Sequence, residues 1–320
     1  MQTNRRTRRN TLRPGRARHQ QIPLNMAQPL NDNRQYLKAA GFLLGSSFMI
    51  VLVNMFAKLL TENGLTPLEV LFYRNLGGFA LVTLTILSTK QFQRFKTKRP
   101  KAQFIRALTG NICLWLIIWA NALLPLATVS AILLSAPIIA TVLSPLFLNE
   151  KTSKFRWLCV IAGLVGALVI TQPGMENFTP STIVALMGAL ASAIVILYLR
   201  SLGQNEDPLT TTFYLFGWGS LFAGLCLPFF WTGLPSAYAL LAGIIISGFL
   251  SQFFKNNAYK HGEISFLSPL IYFNIVWATL LGWAVWKEIP EIHVYIGCAI
   301  IICSNLLITW KEQKIARNDV

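Results

Sequence analysis

Residues 148–157 read LNEKTSKFRW and residues 286–295 read WKEIPEIHVY, 138 positions further along. At that spacing Glu150 falls on Glu288, and each stretch is followed by an apolar run that closes one half of the chain. Near offset 141, Phe72-Tyr73-Arg74-Asn75-Leu76-Gly77 meets Phe213-Tyr214-Leu215-Phe216-Gly217-Trp218, and near 136, Asn121-Ala122 meets Asn257-Ala258. The offsets drift as insertions in loops would make them. The chain contains the same unit twice.

Outward from these markers, apolar runs of near-membrane length occupy residues 39–60, 67–88, 104–124, 128–148, 155–171, 180–202, 209–231, 235–254, 265–286 and 293–310. About 20 apolar residues are needed to cross a bilayer as a helix. Lipid satisfies no bare backbone, so only helices or closed barrels span it. These runs are continuous rather than alternating, which excludes barrel strands. LPLA at 124–127 reads as a very short connection between two crossings. The expected fold is all-α: a polytopic membrane protein of ten transmembrane helices. Five is odd, so the second unit enters the membrane from the opposite side, giving two inverted five-helix repeats over 37–174 and 175–312, with tails at 1–36 and 313–320. Such repeats place a substrate site near mid-membrane, where rocking of the halves alternates its exposure.

Composition agrees. The 320 residues are 54% hydrophobic and 12% charged, whereas soluble domains carry about 25% charged residues. A net charge of +16 would suggest nucleic acid, but the positions of the charges decide otherwise. With ten crossings, 25 of the 28 Lys and Arg fall on the side of the N-terminal tail, leaving Lys58, Arg74 and Lys287. Excess Lys and Arg mark cytoplasmic loops, so both termini are expected in the cytoplasm and the protein in the inner (plasma) membrane. The Arg-rich start, RRTRRNTLRPGRAR at 5–18, is expected to be disordered; it suits an anchor for anionic lipid, or lies upstream of a start at Met26, better than it suits a nucleic-acid arm. The expected partners are a small-molecule solute and the lipid bilayer, with no nucleic acid, in a monomer or homodimer.

Cys113, Cys159, Cys226, Cys298 and Cys303 lie in apolar runs without paired metal spacing, and the three histidines are scattered. Neither disulfides nor a metal site is expected, and no cofactor. GxSxG, HExxH, Gly-rich phosphate loops and carboxylate pairs at membrane depth are missing from the sequence, which argues against an enzyme.

The ordered, doubled motifs resemble the drug/metabolite transporter superfamily, in its EamA-type ten-helix branch, over about residues 37–312. They are Pro67 with Phe72-Tyr73-Arg74; Asn121-Ala122 through Ala127-Thr128-Val129-Ser130-Ala131 to Pro137; Phe147-Leu148-Asn149-Glu150 with Trp157 and Gly163; and, in the second half, Asn257-Ala258-Tyr259, Ser268-Pro269-Leu270-Ile271-Tyr272, Trp277, and Glu288 through Pro290 to Gly297. The pattern looks closest to bacterial members that include S-adenosylmethionine uptake carriers. The resemblance implies transport of a small organic metabolite, such as an amino-acid-like or nucleoside-like solute.

Arg74 lies seven residues past Pro67, about 10 Å into its helix, where a charge costs at least a few kcal/mol unless it faces protein or water. It reads either as a ligand for a substrate carboxylate or as a tether to backbone carbonyls or to a carboxylate such as Glu69 or Glu288. Its repeat counterpart is Leu215, so the fold of one unit does not need the charge. Tyr73, Trp115, Trp119, Asn121, Tyr214, Tyr272, Asn274 and Trp277 are further candidates for substrate binding: aromatic rings stack flat groups or cations, and amides read polar edges. For the aromatic residues the competing reading is an interfacial belt. Pro137 and Pro269 interrupt backbone ladders and, with Glu150 and Glu288 at helix hairpins, are candidates for hinge or gating roles. Gly41 and Gly45, Gly163 and Gly166, and Gly243 with Ser247 suit close helix packing. Every acidic residue lies at or near an expected helix end, Glu69 being the deepest, so the sequence offers no dedicated proton relay. Efflux of drugs or aromatic and cationic compounds, and a non-transporting membrane scaffold, are the alternative functions.

Overall fold

The computed structural model describes residues 33–148, 154–172, 179–202, 207–233, 237–261 and 268–318. The expectations for residues 1–32, and for Glu150 as a hinge or gate, lie outside the described residues. All regular structure within them is helical: α1 Asn33–Glu62, α2 Pro67–Ser88, α3 Pro100–Leu123, α4 Leu126–Leu133, α5 Ala136–Leu148, α6 Lys154–Thr171, α7 Pro180–Leu202, α8 Pro208–Cys226, α9 Tyr238–His261, α10 Phe273–Trp286 and α11 Ile292–Asn318, with three short 3-10 turns.

Seven stretches are long and apolar enough to cross a membrane, and three shorter apolar helices, Trp157–Thr171, Leu270–Trp286 and Ile292–Leu307, accompany them. The chain is an all-helical polytopic membrane protein. Exposed apolar stripes support this. Leu158, Ile161, Val165 and Leu168 recur at helical spacing on α6, and Ile183, Met187 and Leu190 on α7; in lipid such surfaces cost nothing.

Local sequence explains the boundaries. Thr66 caps α2: its hydroxyl accepts from Glu69 N while Glu69 Oε2 accepts from Thr66 N at 2.7 Å, with Pro67 opening the helix. Pro100 and Pro208 likewise sit in first turns, where the missing N–H costs nothing. The LPLA connection is as short as expected: α3 ends at Leu123 and α4 begins at Leu126. The break expected at Pro137 falls two to three residues earlier. Proline cannot donate to the carbonyl four residues back, and the chain responds by tightening, with Leu134 N donating to Ala131 O and Ser135 N to Ile132 O, before α5 resumes at Ala136. Pro269 sits in a 3-10 turn, Ser268–Tyr272, and α-helical geometry starts only at Phe273. The ends depart from the expected tails: α1 starts at Asn33 and α11 runs to Asn318.

Two large apolar clusters hold the bundle. One joins α3, α4, α5, α6, α7 and α11 through residues such as Ala120, Ile132, Ile138, Val160, Ala189 and Ile301. The other joins α1, α2, α3, α8 and α9 through Val53, Leu60, Val70, Ile118, Ala223 and Ile244. Each mixes helices from before and after residue 175. The main helix pairs do the same: α6 with α11, α3 with α7 and α8, α2 with α8 and α9, and α4 with α10. Glycine brings α6 and α11 to backbone contact; a Cβ added at Gly166 would sit 2.9 Å from Gly297 O, and one at Gly297 would meet Gly166 O at 2.6 Å.

Candidate substrate site

Arg74 is 2% exposed and sits where α2 meets α8 and α9. Its Nη1 donates to Asn75 Oδ1 at 3.1 Å, its guanidinium carbon lies 5.3 Å from the Phe216 ring centroid, and its buried Nε has no partner. The neighbouring amides are fully used. Asn75 Nδ2 donates to Asn111 Oδ1 at 2.7 Å, and Asn111 Nδ2 donates to Ala107 O and Leu215 O at 2.7 and 3.1 Å. Glycines make the room: a Cβ at Gly248 would lie 3.2 Å from Arg74 Nε, and one at Gly219 would strike both amide groups.

Neither carboxylate proposed as a tether reaches Arg74. Glu69, 0% exposed, accepts from Thr66 N and Thr66 Oγ1, and from Thr232 N at 2.8 Å and Thr232 Oγ1 at 2.7 Å, binding the start of α2 to the segment after α8. Capping geometry at Thr66 points its carboxylate out of the helix start rather than one turn inward. Glu288 Oε1 accepts from Lys58 Nζ at 2.7 Å, and Lys58 lies 4.7 Å from the Trp286 ring centroid. Among the described residues no carboxylate pairs with Arg74. A guanidinium carries five N–H donors, and an unpartnered buried donor costs about 1–3 kcal/mol. Such a group asks for an anion.

Other polar atoms gather along the same contacts. Ser46 Oγ donates to Ser251 O at 2.9 Å, joining α1 to α9 one turn beyond Gly248. Phe48 meets Trp277 of α10 edge-on at 5.2 Å. Ser47 stands between them and, at 3.6 residues per turn, points between α9 and α10; its buried hydroxyl has no partner. Trp277 Nε1 and Asn274 Oδ1 are buried and unpartnered as well. Arg74, Ser47, Asn274 and Trp277 each offer a buried polar atom without a partner. Native interiors pair most buried polar groups, which makes these unpartnered atoms the candidates for contact with a polar ligand.

The remaining candidates divide. Tyr73 and Trp115 pack against the α1, α2, α3, α8, α9 cluster, and Tyr272 against the other. Trp115 stacks on Trp119 at 5.6 Å, but Trp119 is 39% exposed and shares an outward stripe with Leu108, Ile112 and Leu123. Asn121 is 0% exposed with both amide atoms unpartnered, yet lies ten residues, about 15 Å, beyond Asn111 along α3. Tyr214 donates to Phe95 O at 3.0 Å, tying α8 to the 3-10 turn Phe92–Phe95. Sequence reasoning passed over Ser47, Asn75, Asn111 and Lys58. The available signal was their polarity inside apolar runs; their neighbours were not legible.

No group of three or more His, Cys, Asp or Glu suited to a metal occurs among the described residues.

Fold and site define a membrane transporter with a buried polar centre. The profile of the EamA-like transporter family matches the chain twice, over residues 37–172 and 179–310, and the chain belongs to that family. It is similar to the riboflavin transporter of Vibrio cholerae, 28% identical over 71% of this chain and 77% of that one. It is also similar to the S-adenosylmethionine uptake transporter of Rickettsia felis, 25% identical over 89% and 97%, and to the pseudopaline exporter of Pseudomonas aeruginosa, 24% identical over 85% and 97%. A solved crystal structure shares its fold, with a TM-score of 0.58 over 85% of this chain and 97% of that one at 17% identity. Membership points to small-molecule transport rather than catalysis.

Proposed function

We propose that the protein moves a small organic solute across the bacterial inner membrane by alternating access, and that a carboxylate or comparable anionic group of the solute binds Arg74. The observation that carries this is the buried guanidinium with no carboxylate beside it and an unused Nε–H. Ser47 and Asn274 supply neutral hydrogen-bonding atoms, and Trp277 an aromatic edge, which suits an amino-acid-like or nucleoside-like solute, S-adenosylmethionine among them. Relatives named for uptake and for export exist, so direction is assigned by experiment.

Contact symmetry supports two inverted five-helix repeats. Exchanging the halves maps α1 onto α7, α2 onto α8, α3 onto α9, the α4–α5 pair onto α10 with its preceding turn, and α6 onto α11. The pairs α2–α8, α6–α11 and α4–α10 then map onto themselves, α3–α8 maps onto α2–α9, and α3–α7 maps onto α1–α9. The doubled profile match agrees. Ten crossings with both termini cytoplasmic follow if the three shorter apolar helices also span. On this reading Lys58–Glu288 closes the outer end between α1 and the α10–α11 connection, and the broken helices at Pro137 and Pro269 are hinges beside the path. Glu69, held by five hydrogen bonds, fits structure better than proton coupling.

Flux of radiolabelled S-adenosylmethionine, riboflavin and a panel of amino acids into proteoliposomes, with and without a pH gradient, tests the proposal. The expected result is saturable flux of at least one solute, lost in Arg74→Ala. Flux unaffected by that substitution removes Arg74 from the site, and absence of flux for every solute in both directions returns the scaffold alternative.

A further inference from the structure

The connection between α2 and α3 is folded and fastened. α2 closes in a tight turn in which Lys90 N donates to Leu87 O and Gln91 N to Ile86 O, both at 3.1 Å. Lys90 stands there at φ 53°, the left-handed position that glycine usually fills. The 3-10 turn Phe92–Phe95 follows and is pinned to α8: Thr210 Oγ1 donates to Arg94 O at 2.9 Å, Tyr214 Oη donates to Phe95 O at 3.0 Å, and Arg94 Nη2 lies 3.4 Å from Asp207 Oδ2. Asp207 also caps α8, accepting from Leu209 N at 2.8 Å. Between this turn and the start of α8 lies a cleft of about 680 Å³, lined by Lys90, Arg94, Lys96, Lys98, Asp207 and Thr210 with neighbouring residues of the turn. Among the described residues that line it, four cations meet one carboxylate, and that carboxylate already serves Arg94 and the helix cap.

We propose that this cleft binds the headgroup phosphate of an anionic phospholipid. The site is separate from Arg74 and independent of the proposed transport. Connectivity sets its depth: α2 and α3 are each long and apolar enough to cross a membrane, so the segment 89–99 that joins them turns at the level of the lipid headgroups. Charge sets its ligand. Cations beside the end of a membrane helix attract anionic lipid, and a phosphate oxygen accepts charge-assisted hydrogen bonds from Lys and Arg. Apolar surface favours a lipid over a free anion. Leu76, Ala80, Leu84 and Leu87 are exposed at helical spacing along α2, a track for an acyl chain that leads up to Lys90. Phe92, 57% exposed, adds an apolar residue to the lining of the same cleft, as residues that sit among headgroups and upper chains do. A lipid held there fastens the α2–α3 connection to the start of α8, adding to the ties that Arg94, Thr210 and Tyr214 already make.

The test uses the full-length protein in detergent micelles, titrated at equal ionic strength with phosphatidylglycerol, phosphatidylcholine or inorganic phosphate. Bound lipid is counted by native mass spectrometry, and stability is read by thermal unfolding of tryptophan fluorescence. Phosphatidylglycerol is expected to bind and to raise the unfolding midpoint at concentrations where the other two do neither. Its affinity is expected to fall by about fivefold in Lys90→Gly and by about fivefold again when Lys96→Gln is added, and to survive in Lys96→Arg. Lys90→Gly keeps the left-handed turn and relieves its backbone, so a loss there does not come from misfolding. Removing two charges from the N-terminal tail, Arg8→Gln with Arg9→Gln, is expected to leave the affinity unchanged. Unchanged affinity in the Lys90→Gly, Lys96→Gln protein overturns the site. Equal weakening by the tail substitutions reduces the effect to net charge and overturns it too. Phosphatidylcholine binding as tightly as phosphatidylglycerol, or inorganic phosphate stabilising as well as the lipid, overturns the assignment to an anionic lipid.

Discussion

Arg74 has one polar contact of its own, to Asn75, and an aromatic face beneath it at Phe216. A buried charge without a counterion is a net cost to the folded state, so Arg74→Ala is expected to abolish the solute response while leaving ligand-free thermal stability equal or higher. Arg74→Lys keeps the charge but loses the planar fork; solute affinity is expected to fall by about tenfold on transport assays, given charge-assisted bonds of about 1.5–3 kcal/mol. Glu69 behaves in the opposite way. All five of its hydrogen bonds come from Thr66 and Thr232, and Glu69→Gln is expected to lower stability by about 1–2 kcal/mol, as loss of a helix cap does, without altering how flux responds to a pH gradient. The sequence marked Arg74 as an intramembrane charge and Glu69 as the deepest acid, near a helix end. It could not tell ligand from cap, because that distinction depends on whether donors from a segment some 160 residues away reach the carboxylate.

Among the elements, α6 and α11 meet through Gly166 and Gly297 with their backbones in contact. Without a hydrophobic effect between helices in lipid, such contact is what van der Waals packing has to work with. Gly297→Leu is expected to push the two helices apart and destabilise the protein by a few kcal/mol, at the upper end of about 1–3 kcal/mol for overpacking, detectable as a lowered unfolding midpoint in detergent. Lys58 and Glu288 join α1 to the α10–α11 connection. Lys58→Met leaves Glu288 without its cation, with Glu288 Oε2 already unpartnered, and is expected to destabilise by about 1–3 kcal/mol because the carboxylate is only partly buried; the reversed pair Lys58→Glu with Glu288→Lys should recover part of that loss. Small residues at helical spacing marked Gly166 for close packing, but its partner Gly297 emerged only in the fold. The ion pair was not anticipated, since 230 residues separate its partners.

Across the whole molecule, both apolar clusters draw on helices from each half, and Arg74 packs on Phe216 and Gly248 across that division. On the alternating-access mechanism proposed above, the halves move as bodies rather than unfold. Joining Lys58→Cys to Glu288→Cys by a disulfide is therefore expected to stop solute flux in proteoliposomes, reversibly on reduction, while binding from the other side persists in thermal-shift measurements. Flux that continues through the oxidised protein would show that this end does not open.

The sequence by itself determined the class of the fold, the helix starts that proline and capping residues mark at Pro67 and Pro208, the short turn at 124–127 and the doubling of the unit. Those follow from hydropathy, capping residues and proline, which act within a turn or two of chain. Tertiary structure alone decided which polar residues meet: that Arg74 lies over Phe216 and beside Gly248, that Trp119 faces outward, that Tyr214 ties down a turn, and that Arg106 of α3 donates to Thr211 O of α8. Helix rotation and partner choice are set by packing between helices far apart in sequence, and in lipid hydropathy does not fix them, because lipid and a neighbouring helix are equally apolar surroundings.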